Sequence, residues 1–152
     1  MNHLARILAA LCVAALTPAW MAAPAQAGDE GAATLRVEVA SFRNAKGTLN
    51  CRLFTDAASF PDGEGVRTVR ARIDGTQAAC VFEGLAPGAY AVAVVHDENG
   101  NGRLGRNFVG IPSEGYGVSN NRTYAMASPK WDESRFTLAA REALVLRVSL
   151  RY

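Results

Sequence analysis

The sequence predicts an all-β fold, a single antiparallel β-sandwich of about seven strands with one long irregular loop region. Three observations carry this. Apolar and polar residues alternate in short runs, Gly, Pro, Asn and Asp punctuate those runs, and helical periodicity is weak everywhere, with one turn expected around residues 132–135.

The first run alternates Leu35, Val37 and Val39 with Arg36 and Glu38. Asn44-Ala45-Lys46-Gly47 then supplies a turn into residues 48–54, and the two runs are expected to form a hairpin. Residues 61–65 (PDGEG) break the chain, residues 66–73 alternate again, and Asp74-Gly75 turns toward residues 77–82. Residues 89–95 are apolar on both parities, which predicts a central strand covered on both faces. Leu144, Leu146, Val148 and Leu150 alternate with Arg147, Ser149 and Arg151 in a final half-buried strand.

The amino-terminal segment predicts the compartment. His3 and Arg6 precede an apolar run at residues 7–16, and Ala25-Gln26-Ala27 reads as a cleavage site, so residues 1–27 are expected to be a signal peptide and residues 28–152 one domain. The apolar run is shorter than the roughly 20 residues a spanning helix requires. The expected location is periplasmic or secreted, with no transmembrane segment after cleavage. With 16 Lys and Arg against 14 Asp and Glu, the balance favours neither nucleic acid nor a strongly anionic partner.

Cys12 leaves with the leader, and Cys51 and Cys80 remain. Both share the core-facing parity of their strands, with Leu49 and Leu53 in one and Phe82 in the other. An oxidising compartment favours a Cys51–Cys80 disulfide, and two buried free thiols are the alternative.

Between Gly102 and the last strand, about 40 residues lack clear periodicity, and irregular segments this long are often functional. Glycines at 110, 115 and 117 permit tight backbone, while Tyr116, Tyr124 and Trp131 offer rings to stack on a ligand or to roof one end of the sandwich. His96, Glu114, Tyr116, Asn120 and Asn121 are the candidate ligand-binding residues, for an unknown envelope or extracellular ligand.

The segment FEGLAPGAYAVAVVHDENGNGRLG followed by GIPSEGYGVSNN closely resembles the bacterial domain-of-unknown-function family 2141. Within it, F-x-G-L-x-P-G-x-Y-x-V, residues 82–92, is similar to the strand-turn-strand of prealbumin-like, collagen-adhesin B-type sandwich domains. The resemblance implies a prealbumin-like or Ig-like sandwich and export. It carries no activity and no ligand.

The run HDENGNGRLG, residues 96–105, reads from Asp97 as the first half of a calcium loop. Asp97, Asn99, Asn101 and the carbonyl of Arg103 occupy ligand positions, whereas Gly105 and Phe108 stand where two later ligands belong. The family commonly has an aspartate at the Gly105 position. From this stretch alone any calcium affinity falls in the weak range of about 10⁻⁴ to 10⁻³ M, and Glu114 folding back is the one available rescue for the missing ligand. The favoured reading is a metal-free turn, since Asn99-Gly100 and Asn101-Gly102 both tolerate positive φ and Asp97 caps backbone amides, with weak calcium binding as the alternative.

Catalysis is the competing class. His96 is the only histidine outside the leader, which excludes a His-rich metal site. Next to Asp97, and with Ser113 or Ser119 following, it would serve a small periplasmic hydrolase, although no G-x-S-x-G elbow supports this. Arg70 and Arg72 line one face of a strand and read as edge protection rather than as a binding stripe.

Overall fold

The computed structural model describes residues 31–122 and 127–152, so the expected leader and Tyr124 lie outside the described residues. Among these residues, eight strands form two sheets. They are β1 (Ala33–Ala40), β2 (Thr48–Phe54), β3 (Arg67–Ala71), β4 (Gln77–Leu85), β5 (Gly88–Asp97), β6 (Tyr116–Val118), β7 (Phe136–Leu138) and β8 (Ala143–Ser149). The smaller sheet has the order β4-β1-β8 and the larger β3-β2-β5-β6, with β7 also pairing β5. One turn of helix, α1 (Trp131–Ser134), falls where a turn was expected. No helix among the described residues is long and apolar enough to cross a membrane.

Alternation places the core. Leu35, Val37 and Val39 of β1, Leu49, Cys51 and Leu53 of β2, Cys80 and Phe82 of β4, and Tyr90, Val92 and Val94 of β5 are buried in one cluster between the sheets. Cys51 and Cys80 are bonded there, with Cα atoms 6.5 Å apart. Because β2 and β4 belong to different sheets, the bridge ties the two layers together. β5 is the doubly covered strand that its composition predicts, since Ala91 and Ala93 on its other face join Phe54, Phe60, Val118 and Trp131 in a second apolar cluster.

Two expectations are corrected. β1 and β2 do not form a hairpin: β1 pairs with β4 and β8, and β2 with β3 and β5. Residues 41–47 instead cross between layers, carrying Phe42 into the core. Side by side, the two strands would present one apolar face that still needed a cover, whereas on opposite sheets they cover each other. Nor is the sandwich wholly antiparallel. β8 runs parallel to β1 from Thr34↔Ala143 to Ala40↔Ser149. The intervening chain is far longer than the crossover a parallel pair requires.

β6 and β8 close one side of the sandwich through a glycine. A Cβ on Gly117 would lie 2.7 Å from Val148 Cγ1 and 3.1 Å from the Ser149 carbonyl oxygen. Gly117→Ala is therefore expected to destabilise the protein by about 1–3 kcal/mol through overpacking, read as a lower urea midpoint with an unchanged slope.

Candidate functional site

β5 carries the signature segment, and its free edge is served piecewise. β7 pairs with residues 88–90 and β6 with residues 93–95. Between them, the buried Ser119 hydroxyl accepts the Val92 N–H at 3.0 Å and donates to the Ser134 carbonyl at 2.5 Å. The His96 N–H reaches the Gly115 carbonyl at 2.8 Å. This leaves Ser119 as a backbone bridge, with its one proton already used. Ser113 is exposed, and its carbonyl accepts Arg43.

The opening motif is a set of side-chain caps. Asp97 is buried, and its Oδ1 accepts the Asn101 N–H at 3.0 Å while Oδ2 accepts the Gly102 N–H at 2.8 Å and Asn50 Nδ2 at 2.9 Å. Asn99 Oδ1 accepts the Asn101 N–H and Asn101 Oδ1 accepts the Arg103 N–H. Gly100 and Gly102 adopt φ of 74° and 75°, which glycine reaches at no steric cost. Glu114 does fold back on this loop, as the rescue required. Its oxygens, however, accept the Glu98 N–H at 3.0 Å and the Gly105 N–H at 2.7 Å.

A Cβ on Gly105 would lie 3.0 Å from Glu114 Oε2, so glycine at this position admits the carboxylate. The candidate calcium oxygens of Asp97, Asn99, Asn101 and Glu114 thus all accept hydrogen bonds that hold the turn. A cation would have to compete with these N–H donors. Among the described residues no group of three or more His, Cys, Asp or Glu side chains is placed to hold a metal.

His96 is fully buried on the core face. Its Nε2 lies 2.7 Å from the Lys46 carbonyl, which only accepts, so Nε2 carries the proton. Nδ1 then accepts from the Tyr152 hydroxyl at 2.7 Å. That hydroxyl in turn accepts the Arg43 N–H at 3.0 Å, and the Arg43 guanidinium lies 4.6 Å from the Tyr152 ring centre. Arg43 also pairs with Glu98 at 2.6 Å, and Asn44 Nδ2 donates to the same carboxylate. Both imidazole nitrogens are occupied inside the protein, so the ring has no lone pair facing solvent with which to take a proton from a substrate.

The Glu98 carboxyl is held below the ordinary glutamate range. Burial pushes it up, and the hydrogen bonds from Asn44 and Arg43, with the Arg43 charge, pull it further down. A depressed folded value means stability that is present above the unfolded pKa of about 4.3 and lost as pH falls through the folded one. Glu98→Gln is accordingly expected to be less stable than the parent at pH 7, with the gap closing below about pH 4 in a pH series of urea melts. Tyr152 is displaced upward, chiefly by burial and further by the Glu98 charge, against the Arg43 N–H, which keeps its hydroxyl protonated at neutral pH.

Asn120 and Asn121, both at positive φ, are committed as well. Asn120 Nδ2 donates to the Glu133 and Arg135 carbonyls, locking α1 in place. Asn121 makes a two-point pairing with the edge of β8, donating to the Arg147 carbonyl and accepting the Ser149 N–H, both at 2.8 Å. Such a side chain blocks the edge against further strand pairing.

Of the five candidate ligand-binding residues, Tyr116 alone lines a trough of about 1400 Å³ that the described residues form on the outer face of the larger sheet. Strand register sets its floor. Arg70, Asn50, Val95 and Tyr116 form one cross-strand row, and Thr68, Arg52, Ala93 and Val118 the next. The loop at residues 101–112 forms one wall and residues 61–66 another. At the rim, Asn107 Oδ1 accepts the Val109 and Ile111 N–H groups while Phe108 stands 99% exposed. Arg52 was not among the sequence candidates, Arg70 was read there as edge protection, and Arg103 entered only through its carbonyl at the calcium loop. The available signal was polar Asn50 and Arg52 between Leu49, Cys51 and Leu53, in a strand beside one that is apolar on both faces.

Fold and site together define a disulfide-bonded, two-sheet β-sandwich with a long segment latched over its larger sheet. The chain belongs to the DUF2141 family, described as an uncharacterized protein conserved in bacteria, whose model matches residues 37–145. No curated protein and no solved structure matches the chain.

Proposed function

We propose that the protein is an exported, non-catalytic binding module for an envelope or extracellular ligand, and that its ligand surface is the trough. One observation carries the reading. The polar groups at the His96 end are turned inward onto one another, whereas the trough exposes Arg70 and Arg103, which make no side-chain hydrogen bond or ion pair among the described residues, beside Val95, Tyr116 and Ile111. A concave surface of this size, with a few convergent polar groups, is the kind of site that binds small ligands. Export is supported by the leader-like residues 1–27 and by the Cys51–Cys80 bridge, which suits an oxidising compartment.

The runner-up, a small periplasmic hydrolase using His96, is disfavoured by the sealed imidazole. Calcium, if it binds near Asp97, would brace the turn rather than do chemistry.

The test is a ¹⁵N–¹H titration against fractionated envelope lipids, glycans and peptides. The module reading expects amide shifts confined to the trough, at Val95, Ile111 and Tyr116. Shifts centred on His96 and Tyr152, together with turnover of an ester or peptide substrate, would contradict it.

A further inference from the structure

We propose that the trough grips a phosphate or carboxylate group between the guanidinium groups of Arg52, Arg70 and Arg103, at the Asn101-Gly102 turn. This rests on the reading of the trough as the ligand surface and adds the chemical class of the ligand.

The argument begins with register. Arg52 lies opposite Thr68 on the outer face of β2, and Arg70 lies two residues further along β3, so the two arginines are diagonal cross-strand neighbours on one face. Both reach the same turn. Arg52 Nη2 donates to the Gly102 carbonyl at 2.5 Å and its Nη1 to the Gly63 carbonyl at 3.2 Å, which ties the two walls to the floor. Arg70 Nη2 sits 3.2 Å from the position a Cβ on Gly102 would take. Arg103, the next residue, lines the trough from the wall.

Like charges converging on one turn repel unless an anion lies between them. Among the described residues no carboxylate pairs with any of the three, since the ion pairs present engage Arg36, Arg43, Arg106, Arg135 and Arg147. Asp97, at the same turn, already directs its oxygens to Asn50, Asn101 and Gly102. The other acids lining the trough are Asp62, paired with Arg106, and the exposed Glu64. The turn therefore gathers donors of positive charge and leaves the balancing acceptor to come from outside.

Guanidinium groups match phosphate and carboxylate oxygens two at a time, which makes such a cluster selective for oxyanions over halides. Beside it, Val95, Leu104, Ile111 and Tyr116 offer apolar and aromatic surface. The expected ligand is an oxyanion on an apolar or ring-bearing body. A lipid headgroup and a free small molecule both have this chemistry.

The experiment uses ¹⁵N-labelled full-length protein with four probes: pyrophosphate, citrate, the neutral amphiphile dodecyl maltoside, and phosphatidylglycerol vesicles set against phosphatidylcholine vesicles. Saturable shifts of the Asn50, Gly102 and Arg103 amides with pyrophosphate or citrate are expected, with affinity at least 10-fold weaker in Arg70→Gln and in Arg103→Gln. Arg70 and Arg103 make no side-chain hydrogen bond or ion pair among the described residues, so both variants should retain the parent spectrum elsewhere.

Capture on phosphatidylglycerol vesicles that pyrophosphate competes away assigns the oxyanion to a lipid headgroup. Binding of the soluble probes alone assigns it to a free ligand. Maltoside shifts at Val95 and Tyr116 with Gly102 unmoved by pyrophosphate would overturn the oxyanion and keep the trough. No trough shift with any probe would overturn both, and undiminished affinity in the two variants would overturn the assignment of the arginines.

Discussion

Loss of the Cys51–Cys80 bridge is expected to lower the unfolding free energy by about 3–4 kcal/mol. The two cysteines are 29 residues apart in sequence, and their link restricts the unfolded chain over that loop. It also joins β2 of one sheet to β4 of the other, and both residues sit in the core at 0–1% exposure. The double variant Cys51→Ala/Cys80→Ala additionally removes two sulfur atoms from a packed interior, which adds a cavity cost. Urea unfolding of parent and variant measures the difference. A change below about 1 kcal/mol would mean that the denatured chain is already restricted over residues 51–80, so that the link removes little freedom from it.

Asp97→Ala is expected to cost about 2–4 kcal/mol. Hydrogen bonds to a charged acceptor contribute about 1.5–3 kcal/mol each, and Asp97 accepts three. The Asn101 amide, on an exposed residue, regains water when the carboxylate is removed and returns part of that. Asn50 Nδ2 does not, because Asn50 is 3% exposed beneath the loop and is left with an unsatisfied donor. Asp97→Asn is expected to fall between the two, since one of its two oxygens is replaced by a donor facing other donors. A variant as stable as the parent by urea melt would mean that the turn at residues 97–103 stands without its cap.

The strands were legible because burial between two sheets writes itself into alternating residues. β1 and β8 each show one apolar face, and β5 shows two because the long segment covers its outer side. The pairing of β1 was not legible. Asn44-Ala45-Lys46-Gly47 supplies the same turn chemistry to a hairpin as to a crossing, and the choice depends on which face finds a cover. Parity did identify Cys51 and Cys80 as core-facing, which the bridge bears out.

The candidate site divides in the same way. Asp97, Glu114, Ser119, Asn120 and Asn121 stand out in the sequence as polar residues among glycines. A short polar side chain looks alike in sequence whether its partner is a ligand or a backbone amide, and here the partners are backbone amides and carbonyls and, for Asp97, the Asn50 side chain as well. Tyr152 and Arg43, which close the His96 cluster, come from opposite ends of the described chain, and only the parallel β1–β8 pairing brings them together. Arg52 and Arg70 likewise meet only through the β2–β3 register.

The central claim is that the signature segment is an internal latch and that the ligand surface lies in the trough beside it. The most direct test is a pair of thermal melts of the protein, in excess EDTA and in millimolar calcium, repeated with Asp97→Ala. A bound ligand at 100 times its dissociation constant would add about 2.7 kcal/mol of stability. The latch account predicts the same midpoint with and without calcium for the parent, and a lower midpoint for Asp97→Ala that calcium does not change. A calcium-dependent rise in the parent that disappears in Asp97→Ala would contradict it and make residues 97–103 a metal loop.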